Sequence, residues 1–229
     1  MKRALRWAAL GLALGLLLGC DEGGERFHLA PPSPEYLPND SPDHLLANLV
    51  LAWESRDAAA YAALLYDGAL PATDGLAYAP FRFHFDRSLN PSLPASWSYE
   101  EERAGVEALL SGRKGRDGLM GLCSLRLGVL GDGAGWTAAD ALVEGDPCPA
   151  SARRRLYGLS LSATLEPEPG FGSPTYFAED FGEFYCIPIL VGGAQEWRLW
   201  KWREQIQRGV IETTLGALKV LYWPTEDER

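Results

Sequence analysis

Two neighbouring segments near the C-terminus constrain the fold more than any other part of the chain. Residues 184–191 are nearly all apolar, and residues 197–202 carry three tryptophans and a leucine. Strands that are buried on both faces have such apolar runs, because neither face meets water. Since successive side chains of a strand point to opposite faces, the second segment should present two apolar sets. These sets are Trp197 with Leu199 on one face and Trp200 with Trp202 on the other.

A pair of strands that is apolar on both faces must lie centrally in its sheet, with a cover on each side. Helices are the expected cover on one side. For the other side, the sequence leaves three alternatives open: a ligand, a partner subunit or the C-terminal segment. The tail over 213–223 has a mixed apolar period and fits a helix or a strand.

The preceding residues predict three helices and further strands. Ser41 is a suitable N-cap for a first helix, with Pro42 at its first position. Asp57 can cap a second, short helix, and Ser98 with Glu101 has the pattern of a capping box for a third. Alternating apolar residues predict strands at 81–86, 123–129 and 157–165. The length after residue 41 fits one α+β domain.

Four stretches in this order carry a resemblance: SPDHLLANLVLAWESRDAAAYAALL, FRFHFD, WSYEEE and EWRLWKWRE. Over residues 41–205 the chain resembles the NTF2-like (SnoaL-like) superfamily, and more narrowly a group of bacterial NTF2-like lipoproteins. The resemblance implies a cone-shaped α+β fold, in which N-terminal helices pack on a strongly curved antiparallel sheet and enclose a pocket. Members include isomerases, dehydratases, cyclases, binding modules and dimerisation modules, so the fold alone does not give the function.

The N-terminus has the layout of a secretory signal peptide. Lys2, Arg3 and Arg6 precede an uncharged Ala/Leu-rich run over 7–18, which is shorter than the roughly twenty residues that span a bilayer. The following LLGC, which ends at Cys20, resembles the lipobox of bacterial lipoproteins. We therefore expect a protein of the bacterial cell envelope, lipid-anchored to a membrane, with its domain outside the cytoplasm. The predicted parts are a signal peptide over 1–19, a lipidated cysteine and Pro-rich tether over 20–40, and a domain over 41–229.

The charge of the chain restricts its partners. The full sequence has a net charge of −10, and removal of residues 1–19 takes away three basic residues, leaving 18 basic against 31 acidic side chains. Nucleic acids bind surfaces with clustered Lys and Arg, so no nucleic-acid partner is expected for this acidic chain. Anionic lipid would also repel this chain, so the membrane should be reached through the lipid anchor. No motif indicates a metal or a cofactor.

One pair of polar residues is a candidate for proton-transfer chemistry. His84 and Asp86 are two positions apart on a predicted strand, so both should lie on the face opposite the phenylalanines of FRFHFD. An imidazole and a carboxylate on one wall suit proton transfer next to a carbonyl group. The alternative is a solvated polar face on which Arg82 neutralises Asp86.

Five aromatic residues are candidates for a ligand pocket: Trp197, Trp200, Trp202, Tyr185 and Tyr157. Together they could line an apolar pocket with polar tips for a small molecule. The alternative is that they form the core and the interface of a homodimer.

The three cysteines after the predicted cleavage site also allow a prediction. Exported proteins meet oxidising conditions, so one disulfide and one free thiol are expected. Cys123 and Cys186 lie in apolar strand patterns, which favours buried thiols. Cys148 lies in a loop that follows Cys123 in a predicted hairpin, so Cys123–Cys148 is the predicted disulfide.

These observations favour a membrane-anchored lipoprotein whose NTF2-like domain binds an apolar small molecule or a protein and is not an enzyme. Two alternatives remain open at this point. One is an isomerase or dehydratase of the same fold that uses His84 and Asp86, and the other is a purely structural dimerisation module.

Overall fold

The computed structural model describes residues 34–88, 90–131, 133–167, 170, 172–205 and 214–223. The predicted signal peptide, Cys20 and most of the predicted tether lie outside these ranges. Within them, no helix is long and apolar enough to cross a membrane.

The described residues form four α-helices and one short 3-10 helix. Their bounds are α1 Pro42–Glu54, α2 Ala58–Leu64, α3 Tyr99–Leu110, α4 Leu215–Leu221 and, for the 3-10 helix, Arg116–Gly118. The predicted caps are confirmed at the first three helices. Ser41 and Asp57 each accept a backbone N–H in the first turn of α1 and α2, and Ser98 and Glu101 form the reciprocal capping box of α3. The C-terminal segment that fitted helix or strand is a helix, α4.

Most of the strands belong to one sheet. The strands are β1 Arg82–His84, β2 Ser96–Ser98, β3 Leu122–Gly131, β4 Thr137–Ala138, β5 Leu142–Val143, β6 Asp146–Pro147, β7 Arg153–Leu165, β8 Thr175–Val191 and β9 Ala194–Gln205. The order across the sheet is β2-β1-β9-β8-β7-β3, with β4 added to β7 and a separate β5–β6 hairpin. All pairs are antiparallel except β1 with β9. The predicted α+β class, with helices on a curved and mostly antiparallel sheet, is confirmed.

A β-bulge in β9 changes which tryptophans share a face. Tyr185 pairs with Lys201, and the next residue of β8 pairs with Leu199, so Trp200 is an extra residue in the ladder. Trp200 therefore packs with Tyr185 on one face, whereas Trp202 lies on the other face with Leu199. The prediction that Trp200 and Trp202 face the same way is wrong, because the bulge reverses the alternation after it.

The sheet has a core on each side. We call the face that packs against the helices the inner face and the opposite one the outer face. The outer cluster consists of Tyr66, Val143, Ala152, Tyr185, Ile187, Ile189 and Trp200. Its cover is supplied by the chain itself, from the segment after α2 and the segment around β5 and β6. The C-terminal helix α4 instead packs on the inner face, where Leu215 and Leu218 belong to the inner cluster.

The predicted Cys123–Cys148 disulfide is absent from the structure, in which Cys123, Cys148 and Cys186 are all free thiols. Cys123 lies in β3 beside the end of β7, whereas Cys148 precedes the start of β7 and packs near the outer cluster. Because a strand rises roughly 3.3 Å per residue, the length of β7 separates them by far more than the ~7 Å that a disulfide can bridge.

Candidate functional site

His84 and Asp86 have different surroundings. Strand β1 ends at His84, so Asp86 lies outside the strand. The backbone N–H of Asp86 donates to Glu204 Oε2 (3.2 Å), and its own carboxylate accepts the N–H of Ser88 (2.8 Å). His84 instead belongs to a group of charged side chains on the outer face.

The imidazole of His84 is held in its neutral form. Burial, together with the nearby Lys201 ammonium, lowers the pKa of His84 to about 4. Its Nδ1 lies 4.0 Å from Glu144 Oε2, and its buried Nε2 has no hydrogen-bond partner among the described residues. The imidazole is therefore neutral near pH 7, so Glu144 faces an uncharged ring there.

Ion pairs with β9 hold the β5–β6 hairpin on the outer face of the sheet. Lys201, which is fully buried, pairs with Asp146 of the hairpin, and Arg203 pairs with Glu144 in its turn (3.1 Å). Glu144 and Gly145 both have positive φ, 50° and 84°, as in the primed turns that hairpins favour. These contacts position the hairpin, and His84 lies beneath it.

The five aromatic candidates do not line one pocket. Trp200 and Tyr185 are buried in the outer cluster, and Trp202 and Trp197 are buried in the inner cluster. Tyr157 is the member of the set that also borders an open groove. For the other four, core packing is the observed role.

The groove that Tyr157 borders lies between α1 and the strands β3 and β7. It has a volume of 400 Å³ and is lined by Asp43, Leu46, Ala47, Val50, Val129 and Tyr157. Five of these six side chains present apolar surface. Because Ala47 is exposed and Val50 is half-buried, α1 forms a wall that an incoming molecule can reach.

Polar and aromatic groups gather at the Asp43 end of this groove. Trp136 Nε1 donates to Asp43 Oδ1 (2.9 Å), and the Trp136 ring lies 5.9 Å from the Tyr157 ring. The Arg155 guanidinium lies 4.6 Å from the centre of the Tyr157 ring and 3.7 Å from Asp43 Oδ1. The Arg155 Nε donor is buried, and no described residue accepts its hydrogen bond. The groove is therefore mostly apolar, and a buried hydrogen-bond donor without an acceptor lies on Arg155, which contacts two of its lining residues.

A second polar site lies inside the inner core. Lys219 Nζ of α4 donates to Glu102 Oε1 of α3 (2.6 Å), and the Tyr61 hydroxyl donates to the same oxygen (2.5 Å). Lys219 and Glu102 are both 0% exposed. Burial lowers the pKa of Lys219, although Glu102 acts against that shift, and burial next to Glu102 raises the pKa of Tyr61.

Two carboxyl groups hold the start of α4. Asp180 Oδ2 accepts the N–H of Leu215 (3.1 Å), and Glu204 Oε1 accepts the N–H of Gly216 (2.8 Å). Burial and the adjacent Glu204 raise the pKa of Asp180 to about 8, and burial also raises the pKa of Glu204. At neutral pH the pair therefore retains a proton, which prevents two negative charges from meeting in the core.

Neither interior group is predicted from the sequence, although weak signals exist for both. Glu102 is four and seven positions before Val106 and Leu109, so helical periodicity places it on the buried face of α3. Asp180 shares the inner-face alternation of β8 with Ala178 and Phe184. Across the described part of the chain, no group of three or more His, Cys, Asp or Glu side chains is placed to hold a metal ion.

Comparison with known proteins gives solved structures of similar fold. No family model and no curated protein sequence matches the chain. An NTF2-like superfamily protein from Salmonella enterica is 11% identical, with 74% of this chain and 92% of that chain covered and a TM-score of 0.41. A protein from Kribbella flavida is 10% identical, with 72% and 87% covered and a TM-score of 0.46.

A third similar structure is the β subunit of a putative aromatic-ring-hydroxylating dioxygenase from Novosphingobium aromaticivorans. It is 14% identical, with 78% of this chain and 94% of that chain covered and a TM-score of 0.42. The superfamily that the sequence resembles is thus represented among the similar solved structures. Identities this low, with TM-scores below 0.5, carry no information about activity.

Proposed function

We propose that the protein is a lipid-anchored binding protein of the bacterial cell envelope, without catalytic turnover, that takes an amphipathic small molecule into the α1–β3–β7 groove. The observation that carries this proposal is the composition of the groove. Its lining is apolar apart from Asp43, and Arg155, whose buried Nε has no acceptor among the described residues, contacts the lining residues Asp43 and Tyr157. A bound molecule with an apolar body would contact the apolar lining, and its acceptor headgroup would pair with Arg155.

The placement of the titratable groups favours binding over catalysis. His84 and Asp86, which were expected to act together, have different surroundings, with His84 under the β5–β6 hairpin and Asp86 beside Glu204. The interior pair of Lys219 and Glu102 is fully buried, so a substrate in solution does not reach it in this conformation.

The anchor belongs to the same proposal. The lipobox-like LLGC that ends at Cys20 supports diacylation, and each buried methylene of the acyl chains contributes about 0.8 kcal/mol of membrane affinity. The Pro-rich residues up to 40 would then separate the groove from the bilayer surface. Such a protein is placed to collect an amphipathic molecule close to the membrane.

Isothermal titration calorimetry with dodecanoate tests the groove. The protein is the chain from residue 20 onward with Cys20→Ala, and the probe has an apolar tail and a carboxylate that can accept from Arg155. We expect saturable binding that Ala47→Trp weakens by at least about tenfold, since the indole fills the groove. Ala59→Trp is the matched control, because Ala59 is also an exposed helical alanine but does not line the groove.

Equal binding by the Ala47→Trp and Ala59→Trp variants would contradict the groove as the binding site. Absence of any saturable heat would contradict the ligand class. Native mass spectrometry of the same protein, purified gently from cells, would then show whether another small molecule is retained.

A second candidate function, homodimerisation, is favoured by exposed apolar side chains on the outer face. Leu130 of β3 and Phe177 of β8 are 70% and 67% exposed, and they lie opposite Gly158 and Ser162 of β7, respectively. Sedimentation equilibrium tests this candidate. A dimer that Phe177→Glu dissociates, while Leu76→Glu at an exposed loop position does not, would support it; a monomeric parent protein would exclude it.

A further inference from the structure

The ammonium group of Lys219 is surrounded by side chains that are independent of its own helix. They come from five other elements: Trp53 of α1, Tyr61 of α2, Phe83 of β1, Glu102 of α3 and Trp202 of β9. Helix α4 supplies one atom, Nζ, to the centre of this arrangement. The surrounding group, which we call the aromatic cage, is therefore a property of the rest of the domain.

The cage has the chemistry of a receptor for organic cations. Lys219 Nζ lies 3.5 Å from the centre of the Phe83 ring, 4.7 Å from that of Trp202 and 5.8 Å from that of Trp53. Rings within about 6 Å attract a cation through their quadrupoles, and the attraction is strongest where water is excluded. The Glu102 carboxylate supplies the opposite charge at 2.6 Å.

Stability alone gives little reason for this arrangement. A buried ion pair loses the hydration of both charges, and apolar residues of similar volume are often as good or better for folding. The cage also has hydrogen-bonding groups that Lys219 does not use. Trp53 Nε1, Trp202 Nε1 and Glu102 Oε2 are buried without a hydrogen-bond partner within the residues that the structure describes.

The attachment of α4 is polar at both ends, in addition to the packing of Leu215 and Leu218 in the inner cluster. Its seven residues are capped by Thr214 and held at the N-terminal end by Asp180 and Glu204. At its C-terminal end, the Tyr222 hydroxyl donates to the carbonyl of Met120 (2.7 Å). Because the strands pair among themselves, no hydrogen bond of the strand ladder depends on α4, and local opening of this short helix leaves the ladder intact.

We propose that the space between the helices and the sheet is a binding site for organic ammonium ions, and that Lys219 of α4 occupies this site as a tethered ligand. A free ammonium ligand and α4 then compete for the aromatic cage. This site is distinct from the α1–β3–β7 groove, and the inference does not depend on the function proposed for that groove.

Chemical complementation in a Lys219→Ala variant tests the cage directly. The substitution removes three carbons and the ammonium group, and n-propylammonium replaces those atoms. We expect Lys219→Ala to lower the thermal midpoint of the full-length protein in detergent, and n-propylammonium chloride to raise it again. At about ten times its dissociation constant, a ligand shifts the midpoint of a domain of this size by roughly 3–6 °C.

The controls separate cage binding from general effects of solutes. Sodium chloride at equal concentration and neutral 1-propanol should leave the midpoint of Lys219→Ala unchanged, and n-propylammonium should have no effect on Lys219→Ala with Glu102→Gln. Equal shifts by n-propylammonium and sodium chloride, or the same shift in the double variant, would overturn the proposal.

Competition in a chain that keeps Lys219 gives an independent test, which holds even where Lys219→Ala does not fold. In Gly216→Ala, the added Cβ lies 2.7 Å from the Phe85 ring and 2.8 Å from Glu204 Oε2, so α4 is less firmly attached. We expect n-propylammonium to accelerate hydrogen–deuterium exchange of residues 215–222 in this variant, whereas 1-propanol should not. Exchange that n-propylammonium leaves unchanged would show that α4 and the ligand do not share a site.

Discussion

Asp180 and Glu204 show how a buried acid can serve as a donor as well as an acceptor. Each accepts a backbone N–H from the first turn of α4, and burial raises the pKa of both. One retained proton lets the two carboxyl groups lie together without repulsion. The attachment of α4 therefore depends on the protonation of two strand residues.

This proton gives the stability of the protein a specific pH dependence. The pKa of Asp180 is raised from 3.8 to about 8 in the folded state, so its contribution is fully present below about pH 4 and is lost as the pH rises to about 8. We expect Asp180→Asn, which imitates the protonated acid, to flatten the decline of the thermal midpoint between pH 5 and 8. Above pH 8 the variant should be the more stable protein.

The measurement is thermal unfolding at pH 5, 6.5, 8 and 9, with Glu107→Gln on the exposed side of α3 as the control. Parallel curves for the parent protein and Asp180→Asn would show that Asp180 does not hold the proton. A decline that Glu107→Gln removes equally well would point to general surface charge.

Individual buried charged residues are the features that the sequence predicts least well. Lys219, Glu102 and Asp180 are charged residues in apolar patterns, and the ordinary expectation places such residues in water. What holds them inside is a partner from a distant part of the chain, 117 positions away for Lys219 and Glu102. A single sequence has no record of such pairings, so the periodicity of Glu102 alone could not predict its role.

At the scale of elements, β8 is the strand on which both cores depend. It pairs with β7 and β9, and its Gly182 lies opposite Tyr157 of β7 and Glu204 of β9. A Cβ at Gly182 would lie 2.8 Å from Leu159 and 2.9 Å from both the Phe184 ring and Trp202 Nε1. The missing side chain therefore makes room for the inner-face aromatic residues.

Gly182→Ala should destabilise the protein, because the neighbours of Gly182 are core side chains that cannot move away. Overpacking of this kind typically costs about 1–3 kcal/mol, although alanine is the better residue for a strand. Urea denaturation gives the change. Gly135→Ala is the matched control, since a Cβ there meets nothing within 4 Å, and it should be neutral. Equal midpoints for the two variants would show that the sheet adjusts at Gly182.

Helices were easier to predict than strand pairing, for a physical reason. The caps at Ser41, Asp57 and Ser98 act within one turn, so the signal and its partner are close in sequence. The bulge at Trp200 depends on the register between β8 and β9, and alternation within one strand does not contain it. The predicted Cys123–Cys148 disulfide is wrong for a similar reason, because the two cysteines are near in sequence but lie at opposite ends of β7.

For the molecule as a whole, the proposed lipid anchor predicts how the protein divides between soluble and membrane fractions. Cys20→Ala should release the protein from the membrane fraction, because the acyl chains supply the attachment and the acidic domain adds none. Immunoblotting of soluble and membrane fractions measures this. Cys123→Ala, at an exposed thiol of the domain, is the control and should remain with the membranes. A Cys20→Ala protein that stays in the membrane fraction would exclude the lipid anchor.

The position of α4 in the chain has a consequence for the order in which the molecule is completed. The residues of α4 follow all of the described strands in the chain, and Glu102 has no counter-charge from Lys219 until these residues have been synthesised. An unfinished chain thus carries an unneutralised acid where its interior should close.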